Sequence, residues 1–171
     1  MEYINHYESP LGSLLLSADD IGLTGLWFKE QKYFAHGLKE PYETKELPVF
    51  KDTRHWLNVY FSGKKPDFTV PFHFIGTDFQ KAVWEILCSI PYGKTMTYGE
   101  IAKQIAFQKG LPHMSAQAVG GAVGHNKISI LVPCHRVVGT SGNLTGYAGG
   151  IDKKVKLLTL EGVDMRQFFL P

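Results

Sequence analysis

Cys134 and His135 stand side by side in the run Pro133-Cys134-His135-Arg136-Val137, the strongest chemical signal in the chain. The thiolate is the nucleophilic form of cysteine. A free thiol titrates at about 8.5, so a reactive one needs help near neutral pH. His135, a nearby helix N-terminus or a water between thiol and imidazole could draw the proton. Direct contact between neighbouring side chains is geometrically poor, which favours a bridging water. A carboxylate behind the histidine favours a relay role, and Glu161 is available for it. The bland alternative makes Cys134 a small buried hydrophobe after an apolar strand. It makes His135 a satisfied histidine at a strand end and Arg136 an ion-pair anchor. Cys88, beside Leu87 on the apolar face of a helix, is expected to be buried and inert.

Other chemistries drop out. Tyr92-Gly93-Lys94-Thr95 ends like a phosphate-binding loop, but Cys88 stands where its first glycine belongs. Gly120-Gly121 with Gly124 follows no strand, so it is no dinucleotide fingerprint. The seven histidines are scattered, with no HExxH and no CxxC, so no metal site is expected.

Several elements must position Cys134. Thr77-Asp78-Phe79-Gln80 reads as a capping box, opening a helix to about Ser89 with Phe79, Val83, Trp84 and Leu87 inward. Pro91-Tyr92-Gly93 breaks it. Thr97-Tyr98-Gly99-Glu100 is a second box, starting a helix with Ile101 and Ile105 inside. After Gly110 and Pro112, Ser115 can cap a third helix to about Gly124. These two helices suggest a helix-turn-helix with a long turn. The small residues of the third pack tightly or let a backbone approach DNA, although the helix carries no charge. An apolar strand, Ile128 to Val132, leads to Cys134. A Gly-rich loop spans Gly139 to Gly150, and Asp152 is expected to cap a last helix ending at Glu161-Gly162. Upstream, Leu14–Ala18 and Leu23–Phe28 flank Asp19-Asp20 and Gly22 as a hairpin. A helix over Leu47 to Phe61 sets Phe50, Leu57, Tyr60 and Phe61 at helical spacing and stops at Ser62-Gly63. Val70 to Gly76 reads as an extended linker.

Composition is that of a globular chain. Of 171 residues, 44% are hydrophobic and 13% aromatic, enough for a real core. No apolar run approaches the roughly 18 residues of a membrane span. Met1 to His6 has no basic-then-apolar pattern, so a cytoplasmic location is expected. Two cysteines imply no disulfide framework. Residues 1–76 hold 8 Lys and Arg against 10 Asp and Glu, a net of −2. Residues 77–171 hold 10 against 6, a net of +4, which makes the second half the better partner for a polyanion.

Pro133-Cys134-His135-Arg136-Val137 resembles the active-site motif of the O6-alkylguanine-DNA alkyltransferases. Gly120-Gly121-Ala122-Val123, Asn126, Ile130-Leu131-Val132, Gly146-Tyr147-Ala148-Gly149-Gly150 and Leu157-Leu158 through Glu161-Gly162 follow in family order and spacing. The resemblance covers nearly all of residues 77–162. The N-terminal part resembles the family only in general form, as at Ser9-Pro10-Leu11-Gly12. An α+β fold is implied. The resemblance implies that residues 1–75 form a supporting domain with an antiparallel sheet and a helix. By the same resemblance, residues 76–171 are expected to form a mostly helical DNA-binding and alkyltransferase domain with a helix-turn-helix.

The implied reaction moves the alkyl group of O6-alkylguanine, and of O4-alkylthymine, irreversibly to Cys134. By that resemblance each molecule would act once, as a monomer, with no cofactor. The partner is alkylated double-stranded DNA, bound at the minor groove with the damaged guanine flipped out. The resemblance makes His135 the proton acceptor through a water, Glu161 its orienting carboxylate and Asn126 the hinge after the recognition helix. An asparagine there also tolerates a left-handed helix end. Tyr98 would hydrogen-bond the leaving base, the carbonyls of Cys134 and Val137 would read its exocyclic amine, and Tyr147 with the Ala148 N–H would line the lesion. Ala116, Gln117, Ala118 and Gly120 would face DNA.

Gln117 departs from the family pattern, which has an arginine that takes the flipped base's place. A glutamine can hydrogen-bond to the orphaned base but carries no charge, so weaker flipping or affinity is expected. The chain also lacks the four-cysteine zinc module of the adaptive-response regulator, and it keeps Cys134 where non-repairing relatives carry tryptophan. Two other classes compete. One is a non-catalytic module that recognises alkylated DNA and recruits excision repair. The other is a Cys-His thiol hydrolase, which would turn over repeatedly rather than stop at one equivalent.

Overall fold

A computed structural model describes residues 1–171, which fold as two compact units. The first holds Met1–Ile75 together with Lys127–Ser129. The second holds Gly76–Asn126 and Ile130–Pro171.

The first unit is a sheet with one helix. Strands β1 (Glu2–Ser9), β2 (Gly12–Ala18) and β3 (Leu23–Phe28) form an antiparallel meander, and the short β4 (Tyr42–Thr44) pairs with β1 in parallel. Leu14, Leu15, Leu16, Leu23, Leu26, Trp27 and Phe28 are all buried. Continuous apolar runs rather than alternation are what strands covered on both faces require. The hydroxyls of Ser17 and Thr24 lie within this buried sheet and hydrogen-bond to each other at 2.8 Å. Gly25 has a steric cause: a Cβ there would stand 2.0 Å from the Trp27 ring. Helix α1 (Pro48–Phe61) starts with Pro48 at its first position, where the missing N–H costs nothing. It buries Phe50, Thr53, Leu57 and Tyr60, and its Asn58 accepts from the Tyr7 hydroxyl of β1 at 2.6 Å. The stretch around Pro71 is not a free linker. Leu23 donates to the Pro71 carbonyl at 2.9 Å, and His73 donates to that of Leu23 at 2.8 Å, which extends the sheet past β3.

In the second unit, α2 (Asp78–Cys88) carries the complete capping box at Thr77 and Gln80 and buries Val83, Trp84, Ile86 and Leu87. Phe79 is only half-buried. Helix α3 (Tyr98–Lys109) keeps half of its expected box: the Thr97 hydroxyl accepts from Glu100 N–H. It stops at Gly110, whose left-handed φ of 65° suits glycine. Helix α4 (Ala116–Gly124) is capped by Ser115. The Trp84 indole donates to the Ala122 carbonyl at 2.9 Å and ties α2 to α4. Two-residue strands β5 (Met96–Thr97) and β6 (Val137–Val138) pair in parallel. Helix α5 (Ile151–Leu160) buries Lys154, Leu157 and Leu158.

Four further expectations need correction. Asp152 does not cap α5; Gly150 takes that position and Asp152 lies in the first turn, where its charge still suits the helix dipole. Residues 128–132 are not a strand: one bridge at Ile128 gives way to a turn. The left-handed residue in this stretch is Ile130, at φ 71°, and not Asn126, because α4 ends on His125 with φ −94°. Cys88 is exposed, since it falls on the outer side of the last turn of α2.

Candidate active site

Cys134, His135 and Arg136 form one turn of 3-10 helix. The turn is the meeting point of groups far apart in sequence. His135 is wholly buried, and its Nε2 lies 2.6 Å from Glu161 Oε2. Glu161 Oε1 accepts from Arg136 Nε at 2.8 Å and from the Gly93 N–H at 3.0 Å. Arg136 also donates to the Ile90 carbonyl at 2.7 Å. One carboxylate at the end of α5 therefore fixes the histidine, the arginine and the turn that follows α2.

The electrostatics give the pair a definite resting form. Burial alone would raise the Glu161 carboxyl, but the hydrogen bonds it accepts from His135 and Arg136, with the Arg136 charge, outweigh it and bring it down to about 2. Burial lowers His135, and the charges of Arg136 and Lys154 add to that against the pull of Glu161. The pair at rest is a neutral imidazole on a carboxylate. With Nε2–H directed at Glu161, the basic lone pair falls on Nδ1.

Cys134 is 7% exposed. Burial pushes its thiol up, while an Asn126 hydrogen bond and the Lys154 charge oppose this. Asn126, itself buried, donates from Nδ2 to the Val132 carbonyl at 2.9 Å, and Cys134 N–H binds the same carbonyl at 2.8 Å. Asn126 thus closes the loop at whose end Cys134 stands.

Lys154 is the residue the sequence reading missed. It is 0% exposed, and its Nζ donates to the carbonyls of Val137 at 2.5 Å, Thr145 at 2.8 Å and Gly146 at 3.1 Å. Burial lowers its ammonium to about 8, although the Cys134 charge favours the protonated form. The available signal was spacing. Lys154 lies three and four residues before Leu157 and Leu158, on the apolar face of its helix.

The remaining candidates divide into two groups. Tyr98, half-buried at the start of α3, is raised by burial. Val137 is buried in β6 with its carbonyl on Lys154. Tyr147 and Ala148 are half-buried in the Gly-rich loop, and the Tyr147 ring meets His135 edge-on at 6.5 Å. These share the surroundings of the 134–136 turn. Ala116, Gln117 and Ala118 instead lie exposed in the first turn of α4, outside the buried network. Gly120, one turn on, is half-buried, and a Cβ there would lie 3.8 Å from the Tyr98 ring. No group of three or more His, Cys, Asp and Glu side chains is placed to hold a metal ion.

Comparison with known proteins finds relatives over most of the chain. The family profile described as 6-O-methylguanine DNA methyltransferase, DNA binding domain, matches residues 78–163, and the ribonuclease-like domain of the same family matches 3–74. A methylated-DNA–protein-cysteine methyltransferase of Mycobacterium tuberculosis H37Rv is 48% identical over 162 residues, covering 91% of this chain and 92% of that one. One from Methanosarcina acetivorans is 44% identical over 160 residues, covering 94% and 98%. The crystal structure of Mycobacterium tuberculosis OGT in complex with DNA superposes with a TM-score of 0.80 at 42% identity, covering 97% of this chain and 94% of that one. By the match over both parts and these identities, the chain belongs to the 6-O-methylguanine DNA methyltransferase family.

Proposed function

We propose that this protein repairs O6-alkylguanine in double-stranded DNA by moving the alkyl group irreversibly to Cys134, one group per molecule. O4-alkylthymine is its second substrate. The observation that carries this reading is the buried helical turn of Cys134 and His135, with Glu161 at the end of α5 hydrogen-bonded to the histidine, in a chain from this family.

The neutral His135 takes the thiol proton at Nδ1 through a bridging water, and Glu161 stabilises the imidazolium that results. The Cys134 sulfur attacks the alkyl carbon. An S–C bond forms as the C–O bond breaks, and the electron pair goes to guanine O6. Donors facing the ring lower the barrier for this leaving group, a role for the Tyr98 hydroxyl. Lys154 offsets the cost of a buried thiolate by opposite charge. The carbonyls of Cys134 and Val137 accept from the exocyclic amine; a carbonyl has two lone pairs, so Val137 can serve Lys154 and a base together. Tyr147 and the Ala148 N–H line the alkyl group. Ala116, Gln117, Ala118 and Gly120 face the minor groove, where Gln117 fills the gap left by the flipped base.

Mass spectrometry of the protein mixed with a duplex carrying one O6-methylguanine tests this. One methyl on the Cys134 peptide, saturating at one equivalent and absent from Cys134→Ser, is the expected result. Duplex binding with no methyl gained would instead make the chain a recognition module. The uncharged Gln117 is the single feature that favours that alternative.

A further inference from the structure

The chain between Asn126 and Cys134 is anchored twice. At its base, Asn126 binds the Val132 carbonyl. On its outward limb, Lys127–Ser129 belongs to the first unit. There Leu26 of β3 donates to the Lys127 carbonyl at 2.8 Å, and Ser129 donates to the Leu26 carbonyl at 2.9 Å. Those main-chain bonds would form with almost any residues. Two side chains add something specific. Gln31, 7% exposed in the turn after β3, accepts with one oxygen from the Phe28 N–H at 2.8 Å and from the Ser129 hydroxyl at 3.2 Å. Ser129 is 3% exposed, so both partners are buried.

The residue after Ser129 is Ile130, at φ 71° and 1% exposed. A β-branched side chain in that region is a genuine outlier. It persists only where the surroundings over-determine it, and such strain gathers at functional sites. Here Ser129, bonded through N–H and hydroxyl, fixes one side of Ile130. The Asn126–Val132 bond fixes the other. The reaction proposed above uses neither Gln31 nor Ser129.

We propose that Gln31 is a positioning residue for alkyl transfer. Through the Ser129 hydroxyl it holds Ile130 in the left-handed region, and so sets how the chain enters the Cys134 turn. The inference rests on Cys134 being the alkyl acceptor. Its logic is that of any near-attack geometry, in which a displacement of about 1 Å costs up to 100-fold in rate.

Single-turnover transfer from an O6-methylguanine duplex provides the test, beside duplex affinity and peptide-resolved alkylation of Cys134 by iodoacetamide without DNA. Ser129→Ala leaves Gln31 its bond to Phe28 and is the mildest variant. It slows both transfer and alkylation roughly 10-fold at unchanged duplex affinity. Gln31→Met keeps length without the acceptor and slows them to a similar extent. The double variant is no slower than Gln31→Met alone, because both changes remove one bond. Ser129→Thr restores the hydroxyl and the rate. A merely structural bond would lower the melting temperature and leave the rate constants of the folded protein alone. Ser129→Ala matching the wild type in both reactions overturns the proposal. Failure of the wild type itself to take up methyl counts against the transfer reading, and the iodoacetamide comparison then still decides the role of Gln31.

Discussion

Glu161 concentrates the chemistry of the site in one carboxylate. Its folded pKa of about 2 lies below the ordinary value of 4.5. A depressed carboxyl contributes stability that is fully present above its unfolded pKa and is lost as pH falls through the folded one. The window here runs from about 4.5 down to about 2, and the full contribution is on the order of 3 kcal/mol. Glu161→Gln is therefore expected to be destabilised by about that much at pH 7 in urea unfolding. The gap to wild type should narrow as pH is lowered across the window. A gap that stays constant down to pH 2 would mean that the carboxylate does not hold the turn through its charge. Part of this was legible in advance. A cysteine next to a histidine is plain in the sequence, and the family resemblance pairs Glu161 with that histidine. What could not be read was the convergence of Arg136 and Gly93 on that same glutamate, because it depends on how α5 is seated.

At the scale of elements, the capping signals were the most readable and the edges the least. Thr77 and Gln80 announce α2 by local chemistry alone. Strand β1, Glu-Tyr-Ile-Asn-His-Tyr-Glu-Ser, is half-buried and polar, so it has neither an apolar run nor a clear alternation to betray it. Residues 128–132 misled in the opposite way: apolar enough for a strand, they form a buried turn. Thr77→Ala removes the cap hydroxyl and should cost about 1 kcal/mol, lowering the melting temperature by about 2–4 °C. The C-terminal tail offers a sharper test. Leu144 donates to the Phe169 carbonyl at 3.0 Å, and Phe169 donates to that of Gly142 at 2.9 Å. Met165 and Phe168 pack on the cluster of Val138, Leu144 and Leu158. Truncation after Asp164 is expected to raise amide exchange across residues 139–150 and leave α2 protected. Equal exchange in the loop would show that Lys154 alone is enough to hold it.

For the molecule as a whole, charge is the property that bears on DNA. The second half carries a net of +4 and the first a net of −2, while the first turn of α4 has no charge at all. Duplex binding should weaken as salt rises, since each phosphate neutralised by a cation releases counterions. Gln117→Arg should tighten binding at low salt and steepen the dependence of log K on log salt by about 0.9. An unchanged slope would place residue 117 outside the duplex interface.

The excursion of Lys127–Ser129 has a consequence for dividing the gene. The joint at 75/76 suggests a natural place to split the coding sequence in two. Yet the downstream fragment would still carry Lys127, Ile128 and Ser129, and with them the hydrogen-bonding partners of Leu26, Gln31 and Ile75. Expressed apart, each fragment would lack part of the first unit's hydrogen bonding. Expressed together, they hold the means to reassemble, which makes this chain a candidate for a split reporter whose signal is recovery of a reactive thiol.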